Sequence, residues 1–273
     1  MKDLGQRIIT GLVFGLVLIL SVWVSPYSFM ALFSFIIVRG MYEFYKISSE
    51  RMNISPQKLS GYAIGILLFI MNFLIAMRII PDKFLLLIIP LFFLVFILEL
   101  FRNKEQPFTN IAYTILAVLY IALPVSLLNY LVFNHAGIYL PQALLGYIFI
   151  LWVYDMGGYF VGSPLGKHRL FERISPKKSW EGSIGGALFC IGFSYLLSLY
   201  FTQLVFRDWL VISLIIVIAG TLGDLVESMF KRSIDVKDSG SILPGHGGIL
   251  DRFDSLIMAT PFIFTYLFLT GRL

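Results

Sequence analysis

From Ile8 to Leu269 the chain alternates between long apolar runs and short polar breaks. Most runs approach the roughly 20 residues that a helix needs to cross a hydrocarbon core about 30 Å thick. They predict nine spans, at about Ile8–Val24, Tyr27–Tyr45, Gly61–Ile80, Phe84–Phe101, Asn110–Phe133, Pro141–Val161, Ser183–Leu204, Trp209–Phe230 and Ser255–Leu269. Backbone groups inside a bilayer have no water to bond, so such runs are read as helices. The expected fold is an all-α integral membrane protein with about nine transmembrane helices.

Composition agrees. Of the 273 residues, 58% are hydrophobic and 14% charged, against roughly a quarter charged in a soluble domain. The net charge of +5 matters less than its placement. With the amino terminus inside, the outer segments hold only Arg78, Lys83, Arg207 and Arg272, and the other seventeen of the 21 basic residues face the cytoplasm. Positive charge concentrates on the cytoplasmic side, so the amino terminus is expected inside and, after nine spans, the carboxy terminus outside. Lys2 and Arg7 ahead of the first run imitate a signal peptide, but the run ends in Val22-Trp23-Val24 with no small-residue cleavage site, which favours an uncleaved first helix. The single Cys190 allows no intrachain disulfide. The charge and hydropathy point to a multi-pass protein of the plasma (inner) membrane with its working face in the cytoplasm, and to no nucleic-acid partner. Residues 1–135 read as a scaffold of helices; residues 136–273 carry two polar cytoplasmic loops and read as the working half.

The strongest cluster of chemistry begins inside the eighth span. On a helix, Asp224, Glu227, Ser228 and Lys231 fall at i, i+3, i+4 and i+7 and share one face. Asp224 lies about 10 Å of helix inward from Lys231, at 1.5 Å per residue. An unpaired carboxylate at that depth costs about 2.5–3.5 kcal/mol or more, so it is expected to pair, bind a cation or line a wet cavity. The loop that follows contains Arg232, Lys237, Asp238 and the Pro244-Gly245-His246-Gly247-Gly248 turn, then Asp251, Arg252 and Asp254. Asp251 and Asp254, three apart on a first helical turn, suit two oxygen ligands for a hard cation such as Mg²⁺. Earlier, Asp155 ends the sixth span, and Ser175-Pro-Lys177-Lys178-Ser-Trp-Glu181-Gly182 interleaves charge with turn residues. Gly162-Ser-Pro-Leu-Gly-Lys167 is one residue short of a P-loop and lacks its Ser or Thr, so a P-loop is rejected. Arg39 with Glu43, and Glu99 with Arg102, read as structural helix pairs.

Ser228-x-x-Lys231-Arg232-x4-Lys237-Asp238, the Pro-x-His-Gly-Gly turn and the Asp251-Arg-x-Asp254 ending together resemble the signature of the phosphatidate cytidylyltransferases, or CDP-diacylglycerol synthases. The strings beginning at Asp155 and Ser175 are also similar to that family, with Met156 the one small departure. The resemblance implies transfer of CMP from CTP to phosphatidic acid, giving CDP-diacylglycerol and pyrophosphate for phospholipid synthesis, with Mg²⁺ required and a second cation left open. On that reading Asp224, Glu227, Asp251 and Asp254 hold metal. Lys231, Arg232, Lys237, Asp238, His246 and Arg252 surround the reacting phosphates, while Asp155, Ser175, Lys177, Lys178 and Glu181 hold substrate. The competing readings are a CTP-dependent polyprenol or dolichol kinase, and an ion or solute transporter. Gly185 and Gly186 leave open either a homodimer interface or packing within one chain.

Overall fold

The structure, a computed structural model, describes residues 2–236, 238–240, 242 and 247–273. The chain forms helices α1 (Lys2–Val24), α2 (Pro26–Met52), α3 (Lys58–Ala76), α4 (Ile88–Leu100), α5 (Pro107–Val132) and α6 (Gln142–Leu165). A short antiparallel hairpin follows, β1 (Arg169–Phe171) and β2 (Ser175–Ser179). Helices α7 (Trp180–Tyr200), α8 (Phe206–Ser233) and α9 (Leu250–Leu269) complete the fold. Seven helices among the described residues are long and apolar enough to cross a membrane, counting α4 with the 3₁₀ turn Asp82–Leu87 before it. Ile9–Val24 of α1 is a shorter apolar stretch, and α2 is long but carries Arg39, Glu43, Lys46, Glu50 and Arg51. The protein is thus an all-α integral membrane protein with one small hairpin added.

Local signals account for several boundaries. Ser25 and Ser28 cap each other's backbone N–H groups at 3.1 Å, and Pro26 occupies the first turn of α2, where its missing N–H costs nothing. Ser179 caps α7 by accepting from Gly182 N at 3.1 Å. Helix α6 continues through Gly162-Ser-Pro-Leu165. The string that imitates a P-loop is therefore its last turn.

Phe29, Phe33, Ile37 and Met41 of α2 pack with Phe69 of α3, Val118 of α5, Leu144 of α6 and Leu256 of α9 into one buried core. Outside it, Leu16, Phe93, Leu188 and many other large apolar side chains stay exposed, as a lipid-facing surface requires. The most extensive helix contact among the described residues is that of α6 with α7, and small residues allow it. A Cβ on Gly186 would come 2.8 Å from the carbonyl oxygen of Tyr154, and Gly185 lies against Val161. These two glycines serve packing within the chain. Helices α5 and α8 each contain one π-helical turn, Val118–Ala122 and Ile216–Gly220, a feature often found beside functional sites.

Candidate active site

The second half of α8 is the most amphipathic segment of the chain, and its polar face follows from the spacing of Asp224, Glu227 and Lys231. It packs against the start of α9, and Gly223 permits the approach: a Cβ there would come 2.7 Å from the Asp254 carbonyl oxygen and from Met258 Cβ. This contact brings carboxylates from two helices together. Ligand oxygens of Asp224, Glu227 and Asp254 all lie within 4.8 Å of one another.

The electrostatics of the group are unbalanced. Glu227 is fully buried and Asp254 nearly so. Lys231 Nζ lies 2.5 Å from Glu227 Oε2 as an ion pair one turn along the helix. Even so, neither Glu227 oxygen has a partner in hydrogen-bond geometry among the described residues. Asp224 pairs with Lys178 from β2 and accepts weakly from Ser228 Oγ at 3.4 Å. Three converging carboxylates, with Glu227 Oε1 buried and unpartnered among the described residues, form a hard, all-oxygen donor set, and this fits a hard divalent cation.

Asp251, expected beside Asp254 as a ligand, falls outside the group of three. Its Oδ1 accepts from Lys231 Nζ at 2.7 Å, and its Oδ2 accepts from Gly248 N at 2.7 Å and Ser239 N at 3.1 Å. Residues three apart on one helical turn share a general direction, but these donors draw Asp251 toward the loop. Lys231 therefore bridges Glu227 and Asp251.

Two clefts meet here. One, of about 440 Å³, runs between the end of α6, the hairpin and the start of α7, and is lined by Asp155, Arg169, Lys177, Lys178 and five glycine and serine positions of α6 and α7. The other, of about 570 Å³, lies between α1, α6 and α9. Its walls are apolar, with Leu12, Leu16, Ile148 and Trp152, and one end is charged, with Asp155, Arg252 and Asp254. Asp155 belongs to both.

The remaining expected residues fall as follows. Ser175 opens β2 opposite Phe171, and Glu181 receives Lys167 N and His168 N at 3.2 Å and lies 2.6 Å from His168 Nδ1, fastening the base of the hairpin. Arg232 is exposed and donates to the Val236 carbonyl oxygen at 3.3 Å. Asp238 is exposed and forms no ion pair among the described residues. Lys237 and His246 lie outside the described residues. Glu43 and Ser239, which sequence reasoning did not assign to the site, join it through Asp251 and the start of α9. Their only advance signal was a carboxylate in a long helix and a serine inside the signature string.

A carboxylate group with the chemistry to hold a hard cation thus lies between a lysine-lined cleft and an apolar groove of an integral membrane protein. The chain belongs to the cytidylyltransferase family, whose model matches residues 5–270. It is 52% identical over 116 residues to a phosphatidate cytidylyltransferase of Staphylococcus aureus (strain COL), covering 42% of this chain and 44% of that one. It is also 47% identical over 130 residues to the phosphatidate cytidylyltransferase of Bacillus subtilis (strain 168), and 44% identical over 131 residues to that of Haemophilus influenzae. Those matches cover 46% of this chain each, and 48% and 45% of the relatives. The chain thus matches less than half the length of these curated relatives.

Proposed function

We propose that the protein transfers CMP from CTP to phosphatidic acid, releasing pyrophosphate and leaving CDP-diacylglycerol in the membrane. The observation that carries this reading is the junction at Asp155, shared by a basic cleft whose Lys178 pairs with Asp224 and an apolar membrane groove that reaches Asp254. A triphosphate suits the first, with Lys177, Lys178 and Arg169 against its oxygens. A diacyl lipid suits the second, with acyl chains along Leu12, Leu16 and Trp152 and its phosphate near Arg252.

The acceptor is a lipid phosphate that is already anionic, so the reaction needs no strong general base. Its oxygen attacks the α-phosphorus of CTP, the bond to the β-phosphate oxygen breaks, and pyrophosphate departs with that electron pair. The obstacle is bringing two polyanions together, and charge neutralisation with positioning meets it. Asp224, Glu227 and Asp254 would hold Mg²⁺, which when bound neutralises triphosphate oxygens and favours departure of pyrophosphate. Lys178 and Lys231, now paired with carboxylates, are placed to shift toward phosphates. Asp251 orders the loop and stays available beside the group. Residues 1–135 act as scaffold and 136–273 carry the chemistry, in the cytoplasmic leaflet of the inner membrane, where soluble CTP and a bilayer lipid meet.

The test is Mg²⁺-dependent turnover of CTP by the purified protein, with and without phosphatidic acid. Pyrophosphate release that requires the lipid supports the reading. CDP release indicates a lipid kinase, and pyrophosphate formed equally without lipid defeats the reading.

A further inference from the structure

Glu43 lies in α2, in the amino-terminal half, and by sequence it reads as the partner of Arg39 four residues earlier. The structure gives it another occupation. Its side chain is 2% exposed, and the Arg39 contact is long, 3.8 Å from Nη2 to Oε1. The Arg39 guanidinium instead lies over the Tyr42 ring, 4.7 Å from its centroid. The close partners of Glu43 belong to the signature loop and to α9. Ile249 N donates to Oε1 at 3.1 Å, Leu250 N donates to Oε2 at 3.0 Å, and Ser239 Oγ donates to Oε2 at 3.2 Å.

Ile249 and Leu250 begin α9, which has no side-chain cap from its own N-cap residue. A helix start leaves four N–H groups open and presents the positive end of the macrodipole. Glu43 satisfies two of those groups with a negative charge, from a helix 206 residues away along the chain. Two loop glycines make room for it. A Cβ on Gly240 would come 2.7 Å from Glu43 Oε1, and one on Gly248 would overlap Ser239 Oγ and Glu43 Oε2.

Ser239 links this fastening to the acidic group. While its hydroxyl donates to Glu43, its N–H donates to Asp251, which receives Lys231, which in turn pairs with Glu227. Both ends of the loop, at Ser239–Gly240 and Gly248–Leu250, are thereby held by one carboxylate. We infer that Glu43 is a positioning residue for the cation and nucleotide site, fixing the start of α9 and with it the placement of Asp254. The inference rests on the proposed cytidylyl transfer for its activity readout alone.

The experiment compares Glu43→Ala and Glu43→Gln with the wild type in three measurements: turnover against Mg²⁺ concentration, amide hydrogen exchange at Ile249 and Leu250, and the yield of folded protein. Glu99→Gln, a change in another buried carboxylate whose partners are Gln57, Arg102 and Asn110 rather than the loop, is the control. Loss of a supporting partner around a metal site typically costs 10–100-fold. Glu43→Ala is expected to need about tenfold more Mg²⁺ and to lose exchange protection at Ile249 and Leu250 with the other helices unchanged. Glu43→Gln keeps one acceptor oxygen and should recover part of both. Should the alanine variant fail to insert, the glutamine variant carries the same comparison. Wild-type Mg²⁺ dependence in folded variants, or a loss of turnover that only tracks folded yield as in Glu99→Gln, overturns the inference. If the wild type makes no pyrophosphate at all, the functional reading fails while the exchange result still decides the fastening: lost protection supports it and kept protection defeats it.

Discussion

Of the glutamates buried in the helices of this protein, Glu99 and Glu227 have opposite surroundings. Glu99, near the end of α4, accepts from Gln57 Nε2 at 2.6 Å, Arg102 Nη1 at 2.7 Å and Asn110 Nδ2 at 2.9 Å. Two of these partners are themselves held, Asn110 by the Glu105 carbonyl oxygen and Gln57 by that of Val95. Glu227 on α8 is equally buried but has one lysine beside it, two other carboxylates within 4.8 Å and no hydrogen-bond partner among the described residues. A buried charge left in that condition costs stability unless something else repays it. The contrast separates a carboxylate that ties helices together from the one proposed above to hold a cation.

The sharpest way to break the contrast is Glu227→Gln or Asp254→Asn. Either removes a charge from the acidic group while nearly preserving shape, and the turnover of CTP should fall by more than about 100-fold, since loss of a mere supporting partner already costs 10–100-fold. Stability should hold or rise for Asp254→Asn, whose buried charge has no ion-pair partner among the described residues, and change little for Glu227→Gln, because Lys231 keeps Asp251 as its partner. Thermal melts in detergent beside pyrophosphate release check both parts. Near-normal turnover in folded Glu227→Gln would remove the metal assignment.

Lys178→Ala probes the side of the group that faces the basic cleft. Lys178 is partly exposed and pairs with Asp224 across elements, so its loss should leave folding within about 0.5 kcal/mol, as for surface substitutions. Its value as a phosphate partner predicts about a tenfold loss of kcat/KM, one charge-assisted contact of 1.4 kcal/mol or more. An effect on kcat/KM carried by KM for CTP fits a ground-state phosphate contact. An unchanged KM with a fall in kcat would place Lys178 on the transition state instead.

Hydropathy made the helices legible, because nearly every long apolar run had one possible use in water and another in lipid. Helical spacing likewise showed that Asp224, Glu227 and Lys231 share a face. What the pattern did not carry was the neighbour each face meets. Arg39 and Glu43 satisfy the i,i+4 rule on paper, yet Glu43 turns to amides more than 200 residues away, since two N–H groups at a helix start hold a carboxylate better than one half-buried arginine 3.8 Å away does. Asp251 and Asp254 share a turn but part company, because Lys231 and two loop amides capture only the first. The hairpin at Arg169–Ser179 was hidden for a related reason. Strands of three and five residues carry too short a pattern to distinguish a strand from a loop, and the pairing is fixed by the glycine-packed helices on either side.

The smallest effect on catalysis belongs to Glu99→Gln, and it is the change that best tests whether the two glutamates differ in kind. The glutamine side chain keeps the volume of Glu99 but replaces one acceptor oxygen with an N–H₂ group. Gln57, Arg102 and Asn110 all offer donors to this site, so at least one donor must face another. A buried donor without an acceptor costs about 1–3 kcal/mol, and Arg102 also loses its charged partner. Stability should therefore fall by roughly that amount, while turnover per folded molecule and its Mg²⁺ dependence stay at wild-type values. A thermal melt and a Mg²⁺ titration on the same preparation give both quantities. If Glu99→Gln shifted the Mg²⁺ requirement as Glu227→Gln is expected to, hydrogen-bond satisfaction would no longer separate a structural carboxylate from a functional one in this fold.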